Sequence, residues 1–188
     1  VEVPFQRHQS EILVEVDVNG EPAYMLFDTG ATYVAIHPRF AKKAKVYPGG
    51  QTPSTVMSTA NWRARSKFGI VERFEFANRP HFSVSYLICG GCPYVKTPNG
   101  RPIVGLLGRN VLRRYDYTIK ESEGVIKLEP NDSYGNRWAD IEPWLQMDIS
   151  PERYIPSNVR GYQTRIRFNV AIRNRADIDI QALKVRLS

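Results

Sequence analysis

Residues 11–27, EILVEVDVNGEPAYMLF, leave little freedom in what this chain can become. Ile12, Val14, Val16 and Val18 fall on one face, and Glu11, Glu15 and Asp17 on the other. A period of two is the mark of a strand that buries one side. Asn19-Gly20 follows, the dipeptide that best tolerates positive φ at both central positions of a tight hairpin. The chain then returns as the apolar run Ala23–Phe27. A sequence that opens this way is committed to an antiparallel sheet.

The rest reads in the same key. Pro38 to Lys45 starts with proline and places Phe40, Ala41 and Ala44 at helical spacing, which predicts a short helix. STVMSTANWRARSKFGIV predicts a second hairpin with its tip at Ala60-Asn61, and FEFANRPHFSVSYLI two further strands. Residues 89–102 are rich in Pro and Gly and predict a loop. IVGLLGRNVLRRYDYTI predicts strand, Gly-containing turn, short helix and strand, and GVIKLEP a last strand near Pro130. Residues 131–150, with Trp138 and Trp144, predict an irregular or partly helical connector. Further on, Ile166, Phe168, Val170 and Ile172 alternate again. Ile178 and Ile180, then Val185 and Leu187, follow a turn at Arg175-Ala176. The expected class is all-β: a domain over 1–130 with one or two short helices, a connector over 131–161, and a β-hairpin extension over 162–188.

The bulk numbers fit a folded chain. Of 188 residues, 42% are hydrophobic and 11% aromatic, enough to build a core and too much for disorder. No run approaches the length of a membrane-spanning helix. No signal peptide stands at the start and the first residue is Val1, so a processed fragment or a piece of a polyprotein is expected. Residues 151–188 hold eight basic and three acidic side chains, hence five of the seven net positive charges. That basic hairpin is read as a solvated strand face. Nucleic acid is the lesser alternative, since no aromatics are interleaved as single-strand binders require. Cys89 and Cys92, in CGGC, suit either a disulfide or two thiols, and the loop that follows is unlike a thioredoxin site. His8, His37 and His81 show no ligand spacing, so no metal site is expected. Asn131-Asp132-Ser133 fits a glycosylation sequon, a triplet that also arises by chance.

One residue breaks the apolar logic. Asp28 sits among Tyr24, Met25, Leu26, Phe27 and Val34 and is followed by Thr29-Gly30. A carboxylate there costs free energy unless it is hydrogen-bonded, paired or protonated. At a strand–turn boundary it can be held rigidly, and Gly30 permits a tight turn and the close approach of another backbone. If two such carboxylates meet, they cannot both ionise and must share one proton. One then takes a proton from water while the other donates to a carbonyl, which is general acid–base hydrolysis of an amide.

FDTGAT (27–32) together with VGLLGRNVL (104–112) resembles the retropepsin-type aspartic proteases. The likeness spans about residues 10–130. It implies a retropepsin-like acid protease barrel, with Asp28 as the catalytic carboxylate. Thr29 would lock two active-site loops together, and Gly30 would bond to substrate backbone. Ala31 and Thr32 would line the substrate site. Leu106, Leu107 and Gly108 would form the loop behind the catalytic turn, with Arg109 and Asn110 opening the short helix. The hairpin tip Thr59, Ala60, Asn61 and Trp62 would be the flap that closes over substrate. Bacterial members often carry Thr-Ala-Asn-Gly there, so Trp62 is a departure. Thr32 is another, for retroviral members place an Asp at that position to pair with the Arg of Gly-Arg-Asn.

No other Asp in the chain is followed by Thr-Gly or Ser-Gly. The resemblance therefore implies a homodimer with one Asp28 from each copy, acting on peptide or protein substrates, with no cofactor and no metal. The expected function is an aspartic endopeptidase in polyprotein or protein maturation. The alternative is a catalytically silent module for dimerisation or binding, using its basic C-terminal surface. A viral or retroelement source would place it in a virion or host cytoplasm, and a bacterial one in the periplasm.

Overall fold

The computed structural model describes residues 1–46, 52–58, 63–97, 99–155 and 165–176. The chain divides into two compact units, Val1–Pro143 and Trp144–Ser188.

In the first unit, β1 (Glu2–His8), β2 (Glu11–Val18) and β3 (Glu21–Phe27) run antiparallel in succession. The β2–β3 turn is the one Asn19-Gly20 demands, with φ of 53° and 88°. Asn19 also pins the turn sideways: its Oδ1 accepts from the Arg73 N–H at 3.0 Å, and its Nδ2 donates to the Ala44 carbonyl at 3.3 Å. Next come β4 (Val34–Ile36) and α1 (Pro38–Lys43). The helix starts where proline costs nothing, is capped by the His37 ring accepting from the Arg39 N–H, and buries Phe40 and Ala41. β5 (Ser54–Ser58), β6 (Arg63–Phe76) and β7 (Arg79–Ile88) form the meander expected there. The hairpin tip from Thr59 through Trp62 lies outside the described residues.

Within the Pro/Gly-rich stretch, Val95–Lys96 forms a short β8 that pairs with β9 (Pro102–Leu107). α2 (Arg109–Leu112), β10 (Tyr115–Lys120) and β11 (Val125–Pro130) follow. The sheet runs β10-β11-β1-β2-β3-β9-β4-β7-β6-β5, and a further β2–β6 pairing, Val18 opposite Phe74, curls it on itself. β1 escaped the sequence reading because Glu2–His8 has no clean alternation. It is held from both sides, by β2 and by β11.

The core lies inside this curl. Val14, Val18, Met25, Ile36, Phe40, Phe74, Phe76, Tyr86, Leu107, Ile126 and Leu128 are fully buried. Burying a side chain of this class contributes roughly 1.5–3 kcal/mol. The face of β2 expected to be inward supplies Val14, Val16 and Val18. Leu13 turns the other way and packs with Tyr24 and Ile103 in a smaller cluster. After β11 the chain makes α3 (Trp138–Ile141), with Ala139 and Asp140 buried.

The second unit corrects the expected connector. Leu145–Ile155 is a strand, β12, paired antiparallel with β13 (Arg165–Asn174). The signal was present: Leu145, Met147 and Ile149 alternate with Gln146, Asp148 and Ser150. Met147 faces Ile172, Ile149 faces Val170 and Pro151 faces Phe168, so one side of the ribbon is apolar, and these side chains are exposed. The strand expected after Arg175-Ala176 lies outside the described residues.

Candidate active site

Asp28 leaves the end of β3, and its N–H donates to the Leu107 carbonyl of β9 at 3.2 Å. The carboxylate then turns back on its own loop. Its Oδ1 accepts from the N–H of Gly30 at 2.8 Å and of Ala31 at 3.1 Å. Two amides thus fix the direction of a half-buried carboxylate. Oδ2 has no hydrogen-bond partner among the described residues. Gly30 is closely packed here, for a Cβ would lie 3.2 Å from the Asp28 oxygen.

The second sequence element lies directly against this loop. The Arg109 N–H donates to the Ala31 carbonyl at 2.8 Å, and the Asn110 N–H to the Thr32 carbonyl at 3.1 Å. The Asn110 side chain accepts from the Val34 N–H at 2.8 Å. Gly108 makes the approach possible, since a Cβ would meet the Tyr33 carbonyl oxygen at 2.2 Å. Gly105 is equally constrained, for a Cβ there would lie 1.8 Å from the Ala35 carbonyl oxygen. FDTGAT and VGLLGRNVL, joined at Ala31–Arg109 and Thr32–Asn110, are one structural object.

Above the loop opens a cleft of about 380 Å³. Asp28, Gly30, Ala31, Thr32 and Tyr33 line one side, Thr55, Val56 and Met57 of β5 another, and Ala35, Leu87 and Leu106 complete it. Apart from Asp28 the lining side chains are apolar or hydroxyl-bearing, a surface suited to an extended chain with apolar side groups. Tyr33 is braced edge-to-face by Phe68 at 4.9 Å. Burial pushes its hydroxyl pKa up, reinforced by the Glu142 and Asp140 charges. Cys89 and Cys92 are joined as a disulfide, and with Ala35 they form a buried cluster against which Met57 and Leu106 pack.

Asp28, Gly30, Ala31, Thr32 and Leu106 reach the cleft, while Leu107 and Asn110 are buried behind it. Thr29 is exposed at the tip of the loop. Arg109 is exposed and makes no ion pair among the described residues. Thr59, Ala60, Asn61 and Trp62 lie outside the described residues. No group of His, Cys, Asp and Glu among the described residues could hold a metal ion. A larger concavity, about 520 Å³ between β1, β2 and β6, contains none of the expected site residues.

The sequence reading missed the acid behind the loop. Asp140 and Arg114, both 3% exposed, form a buried ion pair. Arg114 Nε also donates to the Asn110 carbonyl at 3.1 Å, and its Nη1 lies 3.0 Å from His81 Nδ1. A guanidinium only donates, so His81 Nδ1 is the acceptor and the ring is neutral. Burial, then the charges of Arg114, Arg137 and Arg79, push the His81 pKa down to about 4. The one available signal was Arg114 itself, the second of two successive arginines, four residues beyond Asn110.

Residues 14–111 match the family model described as aspartyl protease. A retropepsin-like aspartic protease from Rickettsia conorii superposes with a TM-score of 0.51, at 16% identity, over 68% of this chain and 88% of that one. An inhibitor complex of EIAV protease matches with a TM-score of 0.43 at 19% identity, over 57% of this chain and 90% of that one. No curated protein matches the chain.

Proposed function

The chain belongs to the aspartyl protease family and has a retropepsin-like fold, and from that premise we propose that it is an endopeptidase active as a homodimer. The observation that carries this reading is the Asp28 carboxylate, aimed by the Gly30 and Ala31 amides beside an apolar cleft, in a chain with no second Asp-Thr/Ser-Gly. Two copies supply two Asp28 side chains, and like charges brought together share one proton.

The chemistry then balances without a covalent intermediate. The ionised carboxylate takes a proton from water, whose oxygen adds to the scissile carbonyl carbon. The protonated carboxyl donates to the carbonyl oxygen as the gem-diol forms. Collapse breaks the C–N bond as the carboxyl that took the water proton passes it to the nitrogen. A gem-diol hydroxyl returns its proton to the other carboxylate, which restores the singly protonated dyad. Thr29 bonds across to the partner loop. Gly30, Ala31 and Thr32 meet the substrate backbone, and Thr59–Trp62 act as the flap. β10 ends the sheet with one edge unpaired among the described residues, and its exposed Tyr117 rests on Phe27 beside Asp28. That edge offers a second copy a place to add next to the catalytic loop. The biological role in this reading is maturation of a polyprotein or another protein.

A peptide-library cleavage assay from pH 3 to 8, comparing wild type with Asp28→Asn, tests the reading. Cleavage by wild type alone supports it. Cleavage by neither from a folded dimer favours a binding module.

A further inference from the structure

We propose that Asp140, on the segment that follows the last barrel strand, is a positioning residue for the Asp28 loop, acting through Asn110. The inference rests on the protease reading for its catalytic consequence, and on geometry alone for the rest.

Asn110 is the hinge pin of the candidate site. It holds Val34 by its side-chain oxygen, and Thr32 by its backbone N–H. An amide side chain clamps well only if its other end is fixed, because rotation about the last torsion otherwise exchanges its oxygen and nitrogen. The Nδ2 end is fixed by two acceptors: the Ser85 carbonyl at 2.8 Å and Asp140 Oδ1 at 3.0 Å. Asp140 thereby sets which end of Asn110 faces Val34.

The carboxylate is itself over-determined. Oδ1 also accepts from the Ser85 N–H at 3.1 Å, Oδ2 takes the Arg114 ion pair, and Arg137 Nε stands 3.8 Å away. Arg114 returns to the same helix by donating to the Asn110 carbonyl. Asp140, Arg114 and Asn110 thus close a ring of contacts around α2, the helix whose first two amides hold Ala31 and Thr32. Neither Arg109 nor Thr32 supplies a charge pair at this place. The acid comes from about 30 residues further along the chain than Asn110.

Unlike a carboxylate, an amide here has one acceptor oxygen for two sets of donors. In Asp140→Asn an NH2 group therefore faces either Arg114 or the Asn110 Nδ2 and Ser85 N–H, which should loosen the loop before it unfolds the barrel. The test compares Asp140→Asn with Ile126→Ala, a substitution of a buried β11 side chain that makes none of these hydrogen bonds. Both are assayed below their melting temperatures on a peptide that wild type cleaves. Asp140→Asn is expected to lower kcat at least tenfold with KM changed much less, while Ile126→Ala keeps kcat. Amide exchange at Val34 is expected to quicken at least tenfold in Asp140→Asn and to stay unchanged in the control. If Asp140→Asn fails to fold, the pair Arg114→Met/Asp140→Leu removes both charges at similar volume. It is expected to fold and to show the same kcat and exchange changes. Unchanged Val34 exchange, or faster exchange with unchanged kcat, overturns the proposal. If wild type cleaves nothing, the protease reading falls, and Val34 exchange alone decides whether Asp140 holds the loop.

Discussion

Asp28 carries the chemistry in this account, and it does so by orientation as much as by acidity. Asp28→Asn keeps an oxygen that can accept from Gly30 and Ala31, so the fold should persist while the proton relay is lost. The expected result is a fall in cleavage of about 10³-fold or more, with a thermal midpoint within a few degrees of wild type by calorimetry. Gly108 makes the opposite kind of demand, because the Tyr33 carbonyl leaves no room for a Cβ. Gly108→Ala should destabilise the protein by about 2 kcal/mol in denaturant titration, the usual cost of overpacking a tight contact. His81 adds a pH dependence. It is buried against Arg114 and Tyr115, with Tyr134 beside it and the Arg79 and Arg137 charges acting on it. Its folded pKa near 4 lies below its unfolded value, so the folded state favours the neutral ring. The resulting stability is complete above about pH 6.5 and is lost as pH falls toward 4, up to about 3 kcal/mol. Unfolding measured at pH 7 and pH 4 should show this loss, and His81→Gln should reduce it.

At the scale of elements, most of the sheet was legible because each strand announced itself locally. Val14, Val16 and Val18 gave the buried face, Asn19-Gly20 the turn, and Pro38 the helix start. What the sequence hid were features decided by partners distant along the chain. β1 exists because β2 and β11 flank it, and Asp140 is buried because Arg114 waits for it. In β12, Leu145, Met147 and Ile149 do alternate, but two tryptophans and several prolines nearby obscured the pattern. The disulfide was undecidable from CGGC alone, since pairing depends on the loop closing under Met57 and Leu106. Its loop is short, so its contribution to stability should be no more than about 2 kcal/mol. Its larger effect should fall on the cleft wall. Replacing both cysteines with serine is expected to raise KM severalfold with kcat nearly unchanged, as read by steady-state kinetics.

At the scale of the molecule, the two units differ in how they are held. The barrel's sheet curls on itself around a continuous core, whereas β12–β13 is a two-stranded ribbon with an exposed apolar face. Such a ribbon is at best marginally stable by itself. Amide protons of β12 and β13 should therefore exchange faster than those of β2, β3 and β9. No helix among the described residues is long and apolar enough to cross a membrane. Association between copies bears most directly on function, because the central claim is that two Asp28 side chains from two copies make one site. Mixing equal amounts of wild type and Asp28→Asn, and letting the subunits exchange, tests this without knowledge of the natural substrate. Random pairing leaves about one quarter of dimers with both carboxylates. The account predicts about one quarter of the activity of an all-wild-type sample at the same total concentration. Retention of one half would show that each copy works alone, and would contradict it.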